Sequence, residues 1–163
     1  ILVLTRQQLA VLPTTDRLAQ KGVEHGGYVI SAQKGIVPDG ILIATGSEVE
    51  LALRVQEKLL QFGQDVSVVS MPSMERFSHQ SQKYQEQVLP KKVRRRVAIE
   101  LGASQGWERF VGLDGVAIGI DQFGASGALD VLLPAAGFTV KQIVQEYQKI
   151  HVGDNYRLSV INR

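Results

Sequence analysis

The sequence predicts an α/β fold of three layers: a five-stranded mixed sheet, with four parallel strands and one antiparallel edge strand, and helices on both faces. Three observations predict it. Apolar runs without alternation recur along the chain, as strands buried on both faces require. Apolar stripes at helical spacing lie between them. The last four runs are joined by segments of about 20 residues or by a short helix, enough for parallel neighbours, whereas the link from Ile30 to Gly40 is shorter and carries no helical pattern. The first of the five strands is therefore expected antiparallel at an edge.

The elements follow in order. Ile1 to Leu4 reads as the end of a strand, and Ala10 to Gly26 as a polar, turn-rich linker in which Pro13-Thr14-Thr15-Asp16 is able to open a short helix. Tyr28-Val29-Ile30 is the edge strand. Residues 40–45 form a fully apolar strand. Ser47 and Glu50 have the spacing of a capping box for the helix that carries Leu51, Ala52, Val55, Leu59 and Phe62 and ends at Gly63. Residues 65–70 are Val-rich and form the next strand. Met71-Pro72-Ser73 is a turn, and Ser78 is placed to cap a helix that Pro90 stops. Residues 96–100 and 115–120 are the last two strands. A short helix or turn at 106–110 lies between them, and a short helix at 128–136 follows. Thr139 and Gln142 form a second capping box, opening a helix whose apolar stripe is Val140, Ile143, Val144, Tyr147 and Ile150.

Composition narrows the chemistry. The chain has 163 residues, of which 44% are hydrophobic and 21% charged, a balance suited to a packed core and opposed to wholesale disorder. The net charge of +2 does not by itself indicate a nucleic-acid partner, and no apolar run reaches the roughly 18–20 residues of a membrane span. With no Cys there is no disulfide scaffold, thiolate metal site or Cys nucleophile. The first residue is Ile1 and no signal peptide is visible, so the chain is expected to be a piece of something longer; a cytoplasmic location is a separate expectation.

Several segments invite a functional reading beside a plainer one. Gly46-Ser47-Glu48 joins a strand to a helix N-terminus, where backbone N–H groups attract anions. The chain lacks any Gly-x-Gly, however, and Glu48 repels phosphate, so helix capping is favoured. Phe123-Gly124-Ala125-Ser126-Gly127 lies at the carboxyl end of a strand; an anion loop and a tight packing turn are both readings of it, the turn preferred. His25, His79 and His151 have no metal-ligand spacing. The basic run Lys91-Lys92-Val93-Arg94-Arg95-Arg96 lacks the interleaved aromatics of a nucleic-acid site and leads straight into a strand, which favours a solvated segment. Arg6 follows an apolar strand, where a guanidinium is able to grip a phosphate with two parallel N–H bonds.

Six segments in order, Leu4-Thr5-Arg6-Gln7, Gly26-Gly27-Tyr28-Val29, Ile43-Ala44-Thr45-Gly46-Ser47-Glu48-Val49, Val69-Ser70-Met71-Pro72, Phe123-Gly124-Ala125-Ser126-Gly127 and Gly137-Phe138-Thr139, resemble the C-terminal end of transketolase. The resemblance implies residues 1–26 as the end of a pyrimidine-binding middle domain with a linker, 27–150 as the C-terminal domain, and 151–163 as a tail outside the match. It implies a homodimeric parent of the pentose phosphate pathway that moves a two-carbon ketol unit between sugar phosphates with thiamine diphosphate and Mg (or Ca). In that family the third domain lies away from the cofactor and is taken as structural or regulatory. The Gly-Asp-Gly motif that holds the diphosphate is absent, so no catalytic, cofactor-binding or metal-binding residue is expected on this chain, and the chain alone is expected to be inactive. One functional position carries over: the Arg of the Ser/Thr-Arg-Gln motif, which binds substrate phosphate, matches Arg6, with Thr5 in front of it. The rivals are the equivalent domain of a 2-oxoacid dehydrogenase beta subunit, against which Thr5-Arg6-Gln7 and Phe-Gly-Ala-Ser-Gly argue, and a non-catalytic interaction module of the same fold.

Overall fold

The computed structural model describes Thr5, residues 7–12 and residues 15–151. Arg6 and the expected strand at residues 1–4 lie outside the described residues, as does the tail beyond His151. The elements run α1 (Thr15–His25), β1 (Tyr28–Ser31), β2 (Gly40–Ala44), α2 (Glu48–Gln61), β3 (Val66–Ser70), α3 (Met74–Ser78), α4 (Gln82–Val88), β4 (Arg96–Ile99), α5 (Glu108–Val111), β5 (Val116–Ile118), α6 (Leu129–Ala135) and α7 (Val140–Lys149).

The sheet order is β1-β3-β2-β4-β5. β1 pairs antiparallel with β3, and the β3–β2, β2–β4 and β4–β5 pairs are parallel. This is the mixed sheet that the connection lengths require. β2 sits at its centre, and its period-two side chains feed two separate cores. Leu42 and Ala44 point to one face, where Val49, Ala52, Val55 and Leu59 of α2 meet Ile143, Val144 and Tyr147 of α7. Ile41 and Ile43 point to the other, against Phe77 of α3, Val88 of α4, Trp107 just before α5, and Phe110 and Val111 of α5.

Four local expectations are corrected. Residues 15–25 of the expected linker form the eleven-residue helix α1. Its end is tied down: Gly26 has φ +83°, and a Cβ there would lie 2.5 Å from Phe77 N and from Ser73 O. The His25 ring stacks on Tyr84, whose hydroxyl donates to Gly27 O. Ser47 is the N-cap of α2 but makes no side-chain cap bond. A backbone turn satisfies the helix start instead, with Glu48 N donating to Thr45 O at 3.0 Å and Val49 N to Gly46 O at 3.4 Å. Ser78 closes α3 and does not cap α4; Ser73 and Ser81 are the caps of α3 and α4, accepting from Arg76 N and Tyr84 N. Phe62 is exposed at the end of α2, with the Lys58 ammonium over its ring, rather than part of the buried stripe.

Candidate functional site

The three parallel-strand ends beyond β2, β4 and β5 form one continuous rim, joined by polar contacts. Thr45, just beyond β2, donates from Oγ1 to Glu100 Oε2 at 2.7 Å. Glu48 opens α2, yet only 4% of it is exposed. Its Oε2 accepts from Leu101 N at 3.1 Å, and its Oε1 accepts from the Ser47 hydroxyl. Burial pushes the Glu48 carboxyl above its ordinary value; the bonds from Ser47 and Leu101 pull it back, and the nearby Glu100 adds a further rise.

The rim continues to the β5 side. Ile120 N donates to Gly102 O at 2.7 Å. Ser104 clasps Asp121 twice, N to Oδ1 and Oγ to Oδ2, each at 2.8 Å. These two bonds hold the Asp121 carboxyl below the usual range. Gly119 is required here because a Cβ would lie 2.8 Å from Ser104 N. Thr45, Glu48, Leu101, Ser104 and Asp121 thus bind three successive loops into one frame.

Two concavities open along this frame. One, of about 200 Å³, is bordered by Gln7, Glu48, Glu50, Arg54, Leu101 and Leu133. Two carboxylates, Glu48 and Glu50, and the Arg54 side chain lie on its border, and Ser47 beside them makes no side-chain cap bond. The other is an apolar groove of about 570 Å³ under residues 119–125 and α6. The Phe123-Gly124-Ala125-Ser126-Gly127 loop is exposed throughout, and its first three residues make one wall of the groove.

The remaining candidates are accounted for structurally. His25 Nδ1 donates to Lys21 O and His79 Nδ1 to Glu75 O, both at 2.6 Å, so each ring closes a helical turn. Among the described residues no group of three or more His, Asp or Glu is placed to hold a metal ion. No helix among them is long and apolar enough to cross a membrane. Within the basic run, Arg94 pairs with Asp114 at 2.6 Å. Arg96 is half-buried. Its guanidinium donates to Val93 O, Phe110 O, Leu89 O and Pro90 O, and burial lowers its pKa. Neither Arg96 nor the Ser104–Asp121 clasp is visible in the sequence, because each depends on partners brought together by the fold.

The comparisons with known proteins agree on one family. Residues 26–139 match the family described as the transketolase-like C-terminal domain. The chain is 48% identical over 149 residues to the transketolase of Bacillus subtilis (strain 168), covering 91% of this chain and 22% of that protein. It is 49% identical over 144 residues to the transketolase of Geobacillus stearothermophilus, covering 88% of this chain and 22% of that protein. The structure of a transketolase from Leishmania mexicana superposes with a TM-score of 0.72 at 35% identity, over 80% of this chain and 18% of that one. The chain therefore spans about a fifth of the length of these relatives. On this fold and this similarity, the chain belongs to the transketolase C-terminal domain family.

Proposed function

We propose that this chain is the C-terminal part of a transketolase that transfers a two-carbon ketol unit from a ketose phosphate to an aldose phosphate. The observation that carries the reading is identity near one half to transketolases across about nine-tenths of the chain. The parent works as a homodimer in the cytoplasm, and thiamine diphosphate with a divalent metal supplies the carbanion chemistry when bound. The residues of this chain do not fit that cofactor. The sequence contains no Gly-Asp-Gly, the motif expected to hold the diphosphate. The cofactor site belongs to the upstream domains.

Within the parent, residues 1–26 end the middle domain and its linker, and 27–150 form the third domain, which acts structurally or in regulation. Arg6 binds the phosphate of the sugar phosphate. Its charge is permanent and its planar fork matches a phosphate with two donors. Thr5-Arg6-Gln7 and the Phe-Gly-Ala-Ser-Gly loop favour this parent over a 2-oxoacid dehydrogenase beta subunit. The test is ketol transfer by the full-length polypeptide, from a ketose phosphate to an aldose phosphate, with thiamine diphosphate and Mg²⁺. Turnover by the full-length protein and none by the 163-residue chain is the expected result. Activity of the short chain, or a 2-oxoacid requirement in the long one, would overturn it.

A further inference from the structure

A cleft of about 250 Å³ opens at the opposite end of the sheet from the rim, on the face of the second core. Pro38 leads into β2, and Pro90 and Lys92 precede β4, so the cleft lies at the amino ends of the parallel strands. Val29, Pro38, Val88 and Pro90 give it apolar sides. Ile36 and Val37, on the loop after β1, form an apolar lip and are 98% and 63% exposed. Ser67 of β3 and Lys92 supply polar groups. Ser67 is only 4% exposed, and its hydroxyl has no hydrogen-bond partner among the described residues. Lys92 is exposed and makes no ion pair among them.

Both walls are pinned by bonds within the domain. On one, the Asp65 carboxylate accepts from Lys34 N at 2.8 Å and Gly35 N at 2.7 Å, and Asp39 Oδ2 accepts from Asp65 N at 2.7 Å. On the other, the Arg96 guanidinium donates to Leu89 O and Pro90 O, and Glu86 Oε1 accepts from Lys91 N at 2.9 Å. A ligand thus meets a preformed shape. The same bonds set the charge. Asp39, Asp65 and Glu86 are committed to backbone N–H groups. Arg96, behind Pro90, donates to carbonyls and makes no ion pair among the described residues. Positive charge therefore remains beside an apolar cleft that holds one buried hydroxyl. A singly charged anion with a short apolar body matches this lining, whereas a phosphate would press unpaired charged oxygens against apolar sides. The volume lies below the roughly 300–1,000 Å³ of sites for drug-sized ligands, which limits the occupant to a small molecule.

We propose that this cleft binds a small aliphatic monocarboxylate. Its carboxylate accepts from the Ser67 hydroxyl at the floor and from the Lys92 ammonium, whose flexible stem reaches over the rim. Its chain lies against Val29, Pro38 and Val37. The proposal is independent of the ketol-transfer reading, since every group it uses lies within residues 29–96.

Saturation-transfer NMR on the full-length protein tests this. The probe is 4-methylpentanoate, compared with its uncharged amide, with acetate and with inorganic phosphate. The expected result is a millimolar or lower Kd for 4-methylpentanoate and binding about tenfold or more weaker for the other three, near the low end of what a charged hydrogen bond contributes. Lys92→Gln should weaken the probe by about the same factor. Ser67→Ala should weaken it severalfold, and Lys58→Gln, on α2 at the opposite face, should have no effect. Lys92→Gln leaves the melting temperature unchanged because Lys92 is exposed, so it carries the test even where Ser67→Ala disturbs the strand. No binding of 4-methylpentanoate at millimolar concentration, equal binding of the amide, acetate or phosphate, or unchanged affinity in Lys92→Gln or in folded Ser67→Ala overturns the proposal.

Discussion

At Glu48 a carboxyl group is buried with two donors and one neighbouring carboxylate, and the balance raises its pKa. The folded state therefore holds the Glu48 proton more tightly than the unfolded chain does. Its contribution to stability is fully present below the unfolded value, about 4.3, and is lost as pH rises through the folded value. Glu48→Gln removes that dependence. The melting temperature of the natural chain minus that of the variant is expected to fall from about pH 4 towards neutrality. A flat difference would place the carboxyl in water. Asp65 and Asp121, whose pKa values are lowered, act in the opposite sense and in a different window, losing their contribution as pH falls below about 4. For Arg6, a charged hydrogen bond contributes about 1.5–3 kcal/mol. Arg6→Ala in the full-length enzyme should therefore raise KM for phosphorylated substrates roughly 10- to 200-fold, with a smaller fall in kcat. The same variant should hardly affect an unphosphorylated acceptor such as glycolaldehyde. Equal losses on both acceptors would show that Arg6 supports the fold instead. Arg6→Lys should recover only part, since a point charge does not reproduce the fork.

Among the elements, β2 and α7 meet at a tight backbone approach in the first core. A Cβ on Gly40 would overlap the Tyr147 hydroxyl and lie 2.8 Å from Arg95 O. Gly40→Ala should cost about 1–3 kcal/mol, as overpacking does. Adding Tyr147→Phe should restore part of that loss, because it removes the nearest clashing atom; denaturant midpoints of the two variants and their combination measure the coupling. This contact is not legible in the sequence, where Gly40 reads only as the start of a strand. The legible part comes from local pattern: the apolar runs of β2, β3 and β4, the α7 stripe, and the Thr139 cap, whose hydroxyl accepts from Gln142 N at 3.2 Å. The Ser47–Glu50 box fails because the competing turn through Thr45 and Gly46 already satisfies the first N–H groups. α1 reads as linker because it carries no buried apolar stripe: Leu18 and Val23 are exposed, and Gly22 is what packs against the Tyr28 ring of β1. The candidate site divides in the same way. Gly46-Ser47-Glu48 and the Phe123 loop are visible as segments, but their union through Leu101 and Asp121 spans separations of 53 and 17 residues, which no local pattern encodes.

On the scale of the whole molecule, the described residues form one five-stranded sheet with a core on each face, and the sequence contains no Gly-Asp-Gly. Titration of the 163-residue chain with thiamine diphosphate and Mg²⁺ in a calorimeter should give no heat of binding. Micromolar affinity would overturn the assignment of the cofactor to the upstream domains. Sedimentation at micromolar concentration should show mainly monomer; a tight dimer would mean that this domain carries assembly.

The sheet order also sets a timetable during synthesis. β1 is made before β2 but pairs with β3, so its partner emerges roughly 35 residues later, a wait of about 2–7 s at ribosomal speeds. The wait is longer for the first core. α2 packs on β2 and β3 and also against α7, the last of the described helices, so the side of α2 that meets α7 stays open until residues 140–149 have left the ribosome. Nascent chains stalled before Val140 should bind a hydrophobic dye and be digested quickly, whereas chains released past Ile150 should do neither. For this topology the last described helix, rather than any strand, closes the first core, and premature termination that removes α7 leaves the α2 side of that core uncovered.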